Sequence, residues 1–231
     1  PVSIKARGAD IHRWGHTSAT AGQVRKAGQA ADGLLAVSAA MKADMVALGM
    51  PAGRIRVHHT GVDLDRFVPV KRAGGGRHVA SVGALIPRKG HDIVIEAVAR
   101  LPGVSLGIAG DGPERARLQA TIDRLGVGDR IALLGPVPHT ELPALIAAAD
   151  VMALASSSEG LANAWIEALA CGTPVAAYPV TGPVDVLSGG EAGALNEDLR
   201  QACLDALKIE RRAARAWAER FSWRAASEQF A

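Results

Sequence analysis

Apolar positions follow two rhythms in this chain, and the second half keeps them more strictly than the first. Short apolar runs fall at residues 2–6, 34–37 and 54–58, then at 79–83, 104–110, 131–135, 151–154 and 175–178. In the intervening stretches 17–30, 38–48, 91–101, 113–125 and 140–149, apolar residues return every three or four positions, as on a helix with one buried face. Ser38 stands where a helix would be capped and Gly49 where it would close. Two closing helices are predicted at 197–207 and 210–230. Runs that are apolar throughout, rather than alternating, predict strands covered on both faces. Their repetition with helices predicts a doubly wound, parallel α/β sheet. Such sheets bind ligands outside the carboxyl ends of their strands. The stretch FVPVKRAGGG at 67–76 reads as a linker, broken at 71–76, dividing the chain into 1–70 and 77–231.

Composition narrows the function. Of 231 residues, 48% are apolar, enough for a full core, but only 3% are aromatic, so Ala, Val and Leu must do the packing. A net charge of +3 without dense Lys/Arg blocks argues against nucleic acid and leaves an anionic small ligand or an anionic membrane surface. Cys171 and Cys203 have neither metal-ligand spacing nor a disulfide framework, which suits thiols in a reducing cytoplasm. No run has the length of a membrane-spanning helix. The chain begins without Met or a signal peptide and reads as a fragment or a processed product. The neighbours His58 and His59 would point to opposite faces of a strand, and with no third ligand apparent they read as structural.

Candidate chemistry concentrates in SSSEGLANAWIEALACGTP, residues 156–174. Leu161, Trp165 and Leu169 mark a buried helical face, and Asn163 and Glu167 share the opposite one. Gly160 lets backbone come close to a ligand, and the helix start offers N–H groups to an anion. Either Glu159 or Glu167 alone is explained by the helix dipole or by solvation. Together with a polar helix mouth they suit a ligand with phosphate at one end and hydroxyls at the other. Arg88 and Lys89, held on a Pro/Gly turn after a strand, suit a diphosphate. The Gly-rich strand end Gly110-Asp111-Gly112-Pro113 is weak evidence by itself.

The run from Glu159 through Glu167-Ala168-Leu169-Ala170-Cys171-Gly172-Thr173-Pro174 resembles the donor-site signature of retaining glycosyltransferases of the GT-B fold, family four. Likeness continues at Lys89-Gly90, at Gly110-Asp111-Gly112-Pro113 and at Gly135-Pro136-Val137, covering most of residues 6–181. The resemblance implies that Lys89, helped by Arg88, binds the donor diphosphate. Glu159 would hold the donor sugar's hydroxyls and Glu167 the ribose. The N–H groups of Leu161, Ala162 and Asn163 would meet sugar and phosphate. Gly110 and Gly112 would line the nucleotide pocket, and Val137 would lie by the base. The donor would be a UDP- or GDP-sugar, with no resident cofactor and no metal, and the acceptor a glycan or a lipid-linked molecule. Residues 1–70 would be part of an acceptor-side Rossmann-like domain, lacking roughly half of it, and 77–231 the nucleotide-sugar domain with its closing helices. The chain departs from the pattern at Ala84, where many members carry Arg, and at Arg7-Gly8-Ala9-Asp10, where many carry His-Gly-x-Asp. It departs again at Thr181-Gly182-Pro183-Val184-Asp185, where Gly-Gly-x-x-Glu is usual.

Two expectations follow. The first is a cytoplasmic enzyme, in contact with the inner membrane surface if its acceptor is a lipid, that transfers sugar with retention. The second is a nucleotide-sugar-binding fragment that transfers nothing, or that needs a partner to complete its first sheet and self-associates through the open edge. A glycosidase built on Glu159 and Glu167 is rejected, because both sit beside a phosphate site.

Overall fold

The computed structural model describes residues 1–71, 77–187 and 189–230, so all but Lys71 of the predicted break at 71–76 lies outside the described residues. Two parallel sheets form. The smaller contains β1 (Ser3–Ala6), β2 (Gly33–Ala36) and β3 (Ile55–Val57) in the order β1-β2-β3, with α1 (Ala21–Ala30) and α2 (Ala39–Ala47) between strands. Ser38 caps α2 as expected, its hydroxyl accepting from the Met41 N–H at 3.0 Å. The helix predicted over 17–30 is shorter. Thr17 and Thr20 turn their hydroxyls back onto the carbonyls of Arg13 and Trp14, at 2.8 and 2.7 Å, and hold 15–20 in turns. A π-helical turn, Asp10–Trp14, precedes them.

The larger sheet contains β4 (Arg77–Val82), β5 (Val104–Ala109), β6 (Ile131–Gly135), β7 (Val151–Leu154), β8 (Val175–Ala177) and β9 (Gly193–Leu195). Its order is β6-β5-β4-β7-β8-β9, parallel throughout. The connections carry α3 (His91–Ala99), α4 (Arg115–Leu125), α5 (Leu142–Ala148), α6 (Asn163–Ala170) and the one-turn α7 (Pro183–Leu187). α8 (Leu199–Ala206), α9 (Arg211–Ala218) and α10 (Trp223–Phe230) follow. β9 and α7 had no sequence forecast, since three and five residues are too short to show a period. The helix predicted over 210–230 is two helices. Ser222 takes an extended conformation (φ −63°, ψ 157°) and its hydroxyl accepts from the Ala225 N–H, which ends one helix and starts the next.

The central strands explain their own composition. On β7, Val151 and Ala153 face one apolar cluster while Met152 and Leu154 face another, so no position is left for a polar residue. One of those clusters runs on from β2 and α2, through Leu34 and Met41, to Trp165, Ile166 and Leu169 of α6. The two sheets therefore share a core. They also share a clasp. α10 returns to the small sheet, where Val62 bridges Ser222 and Gln229 accepts from the His59 N–H at 3.1 Å. Arg215 of α9 donates to the carbonyls of Leu64, Phe67 and Ala170, pinning the inter-sheet segment to the end of α6.

Candidate functional site

The strand order of the larger sheet reverses between β4 and β7. From that pair the chain winds outward one way through β5 and β6 and the other way through β8 and β9. A crevice opens at the carboxyl ends of such a pair, and ligands of doubly wound sheets bind there. Two loops meet in it: residues 83–90 after β4 and 155–162 after β7.

The loops are interlocked. Gly90 has φ +64°, and a methyl group on it would lie 2.3 Å from the Ala155 carbonyl oxygen, so only glycine allows the approach. The Ser157 N–H donates to the Arg88 carbonyl at 3.0 Å, and the Arg88 guanidinium donates to the Ser158 carbonyl at 2.7 Å. Turn 87–90 is thereby fixed with both cations at the crevice. Lys89 Nζ donates to Glu159 Oε1 at 2.6 Å, and Arg88 stands 3.3 Å from the same oxygen. Glu159 is only 8% exposed, which two adjacent cations make tolerable. Ser158 is held from the small sheet's side: its hydroxyl meets His12 Nδ1 at 3.0 Å, and His12 Nε2 meets Asp44 at 3.0 Å.

Three predicted residues prove to be closely packed. A methyl on Gly110 would stand 1.9 Å from the Gly83 carbonyl oxygen, and one on Gly112 2.5 Å from that of Leu85. These glycines let the loop after β5 lie against the loop after β4. At Gly160 the close neighbour is the Arg7 carbonyl, 2.5 Å from where a methyl would be. Leu161 and Ala162 are buried, and no side chain caps α6 at Ala162. Val137 is half-buried in the loop after β6.

Asn163 and Glu167 share a helical face as predicted, and that face lines a cavity of about 300 Å³. Arg7, Arg66, His139 and Trp223 also line it, and none of these was singled out for this site from sequence. Arg7, just beyond β1, had drawn notice only as a departure from the family pattern; His139 lies in the loop after β6, Trp223 at the start of α10, and Arg66 in the segment between the sheets, where no local signal marks it. His139 Nε2 stands 3.6 Å from Glu167 Oε1, and Arg66 donates to the His139 carbonyl at 2.6 Å. Burial pushes the Glu167 carboxyl above the ordinary glutamate range, against a smaller opposing pull from His139. The structure thus gathers Arg88, Lys89 and Glu159 at one place and Asn163 and Glu167 at another. Among the described residues no hydrogen bond or ion pair joins the two groups.

Beneath the turn, His91 is buried with Nδ1 3.1 Å from the Ser81 hydroxyl, and burial lowers its pKa, so it is neutral at pH 7. The Ser156 hydroxyl is buried without a hydrogen-bond partner among the described residues. Among the described residues no three His, Cys, Asp or Glu side chains gather where they could hold a metal ion.

His58 and His59 differ from expectation. β3 stops at Val57, so strand alternation does not reach them, and both line one cavity of about 540 Å³.

Family models account for most of the chain. Glycosyl transferases group 1 matches residues 65–210, and Glycosyltransferase Family 4 matches residues 6–66. D-inositol 3-phosphate glycosyltransferases of Mycobacterium tuberculosis and Mycobacterium bovis are each 40% identical over 203 residues, covering 76% of this chain and 42% of theirs. The chain spans less than half the length of these curated relatives. Anabaena Alr3699/HepE, crystallised with UDP, superimposes with a TM-score of 0.85 at 25% identity, over 100% of this chain and 71% of that one. Sucrose-phosphate synthase of Thermosynechococcus elongatus gives 0.84 at 25% identity, over 99% and 65%. The fold is that of the GT-B glycosyltransferases.

Proposed function

This chain belongs to the glycosyl transferases group 1, and from that premise we propose that it moves a sugar from a UDP- or GDP-sugar to a glycan or lipid-linked acceptor, retaining the anomeric configuration. One observation carries the reading: two cations and an enclosed carboxylate converge at the reversal point of a doubly wound sheet. Relatives support the donor class, since Alr3699/HepE was crystallised with UDP.

The roles follow from donor and acceptor capacity. An ammonium has three N–H groups, so Lys89, while donating one to Glu159, keeps two for diphosphate oxygens. Arg88 adds a second charge, and the N–H groups of residues 161–163 a third source of positive field. Together they stabilise the charge that builds on the departing diphosphate, which dominates this chemistry, so no strong protein nucleophile is needed. Glu159 accepts from hydroxyls of the donor sugar. Glu167 accepts from the ribose, with Asn163 beside it in the cavity. Gly110, Gly112 and Gly160 let the loops close around the donor, and Val137 borders the base. No resident cofactor or metal takes part in this reading.

Calorimetry with UDP, GDP and their sugars, followed by a donor-turnover assay, tests it. Failure to bind any nucleotide overturns it. Binding without turnover favours a second reading, a donor-binding unit completed by a partner chain or a second copy. β1 supports that alternative: among the described residues it pairs only with β2, and exposed Ile4 on it and Val2 just before it lie at the sheet edge. The dependence on a nucleotide sugar and the buried free thiols of Cys171 and Cys203 support a cytoplasmic setting for this activity. Among the described residues no helix is long and apolar enough to cross a membrane, so a lipid-linked acceptor would be met at the membrane surface.

A further inference from the structure

His139 lies in the loop between β6 and α5, where Pro136 and Pro138 leave the backbone few conformations. It is fastened from the inter-sheet segment. Arg66 donates to its carbonyl at 2.6 Å, and its ring stands edge-on to the buried Phe67, with ring centroids 5.9 Å apart. Phe67 is itself pinned, because Arg215 of α9 donates to its carbonyl at 2.6 Å. So fastened, the imidazole holds Nε2 3.6 Å from Glu167 Oε1. Among the described residues it is the one ion-pair partner of that carboxylate.

With both ends in water such a pair would be worth little. Here one end is enclosed: the Glu167 side chain is 13% exposed, against 58% for His139. Burial drives Glu167 toward its protonated form, and His139 opposes this more strongly than Arg66 does. The other charged groups around the carboxylate are few. Arg7, Asp63 and Arg66 line the same cavity, and Asp63 Oδ1 already accepts from the N–H groups of Asp65 and Arg66, each at 3.0 Å. The Cys171 thiol, four residues further along, is pushed up to about 12 by burial and stays neutral. The state of Glu167 matters to a ligand with paired hydroxyls. An ionised carboxylate only accepts and can take both, whereas a protonated one carries its own hydrogen on one oxygen.

We infer that His139 is a positioning residue for the donor: held by Arg66 and Phe67, it keeps Glu167 ionised and in place so that both ribose hydroxyls can donate to it. The inference rests on the reading of Glu167 as the ribose acceptor and adds to it a residue from a second loop. It also makes the grip on ribose depend on the segment between the sheets, since Arg66 and Phe67 both come from there.

The test is calorimetric titration with UDP and with dideoxy-UDP, which lacks both ribose hydroxyls, at about pH 5.5 and about pH 8. The parent should bind UDP about tenfold more tightly than the dideoxy nucleotide. His139→Gln is similar in size but uncharged. It should lose about tenfold in UDP affinity at the lower pH and less than about twofold at the higher, where Glu167 ionises without a cation's help. Its affinity for the dideoxy nucleotide should stay within about twofold at both. His139→Lys, which keeps a cation beside Glu167, should restore UDP binding at the lower pH. Equal weakening of the two nucleotides would mean that His139 serves the diphosphate or the fold, and would overturn the inference. So would a loss of the same size at both pH values, as a displaced loop gives, no loss at all, or no rescue by Lys. Glu167→Gln separates the inference from the reading beneath it. If that variant abolishes the preference for UDP over the dideoxy nucleotide while His139→Gln leaves it intact, only the inference fails. If Glu167→Gln keeps the preference, the ribose reading fails and the inference with it.

Discussion

A carboxylate as enclosed as Glu159 stays in place only while a cation stays beside it. Lys89→Met removes the partner at 2.6 Å and leaves Arg88, 3.3 Å away and half-exposed. The variant should lose about 2 kcal/mol of stability, and UDP should bind at least about tenfold more weakly. Adding Glu159→Gln removes the stranded charge, so thermal melts should recover while UDP affinity does not. Recovery of both would mean that Lys89 serves only the fold. Glu167 gives a different signature. Its carboxyl is raised by burial, so the folded state holds a proton at pH values where the unfolded chain has released it. Stability therefore falls as pH rises through the window from the ordinary glutamate value to the raised one, and the cost is complete above it. Glu167→Gln should be more stable than the parent above that window and equal to it below, as melts across pH would show. If Glu167 holds the ribose, the same variant should bind UDP about tenfold more weakly at pH 7. Unchanged affinity would remove that role.

The turn that carries the two cations can be moved without touching either. Gly90→Ala places a methyl against the Ala155 carbonyl, and backbone cannot be relieved by a rotamer change. Turn 87–90 must shift, costing about 1–3 kcal/mol and lowering UDP affinity in step. Gly126→Ala is the control. Its φ is also +64°, but open space surrounds it, so it should cost about 1 kcal/mol and leave UDP affinity alone. Calorimetry and melts on the two variants separate strain from positioning. Elements of this kind were unequally legible in the sequence. Ser38 announced its helix because a cap acts through its own neighbours. The strands at 131–135 and 151–154 matched residue for residue; β7 is apolar because both its faces are buried, whereas β6, at the sheet edge, keeps an unbroken apolar run although Ala132 and Leu134 are exposed. Lys89 and Glu159 could be nominated, but their meeting depends on β4 lying beside β7, a pairing no local signal encodes. The same is true of Gly160, whose close neighbour is a carbonyl some 150 residues away. His58 and His59 line one cavity rather than opposite faces, because alternation ends with β3 at Val57.

At the scale of the whole molecule, the question is whether the two sheets can be uncoupled. The larger has a cluster of its own, with Val79, Ile108, Val151 and Ala176 on the face away from the small sheet. The smaller has three strands and no such reserve, and a unit of about 70 residues is marginal alone. It leans on α6 through the shared cluster and on α10 through Val62, His59 and the buried Ala226. Ending the chain after Phe221 removes α10 and keeps α6. Hydrogen exchange should then show β1, β2 and β3 losing protection while β4, β5 and β7 keep theirs, since none of the latter's pairing partners is touched. UDP binding should weaken by about tenfold without disappearing, because Trp223 leaves one wall of the Glu167 cavity while the Lys89–Glu159 pair is undisturbed. Equal loss of protection in both sheets would show that the shared cluster makes them one cooperative unit. Abolished UDP binding with β4 and β7 still protected would place the donor's main anchor at the α10 side, and so against the crevice between β4 and β7.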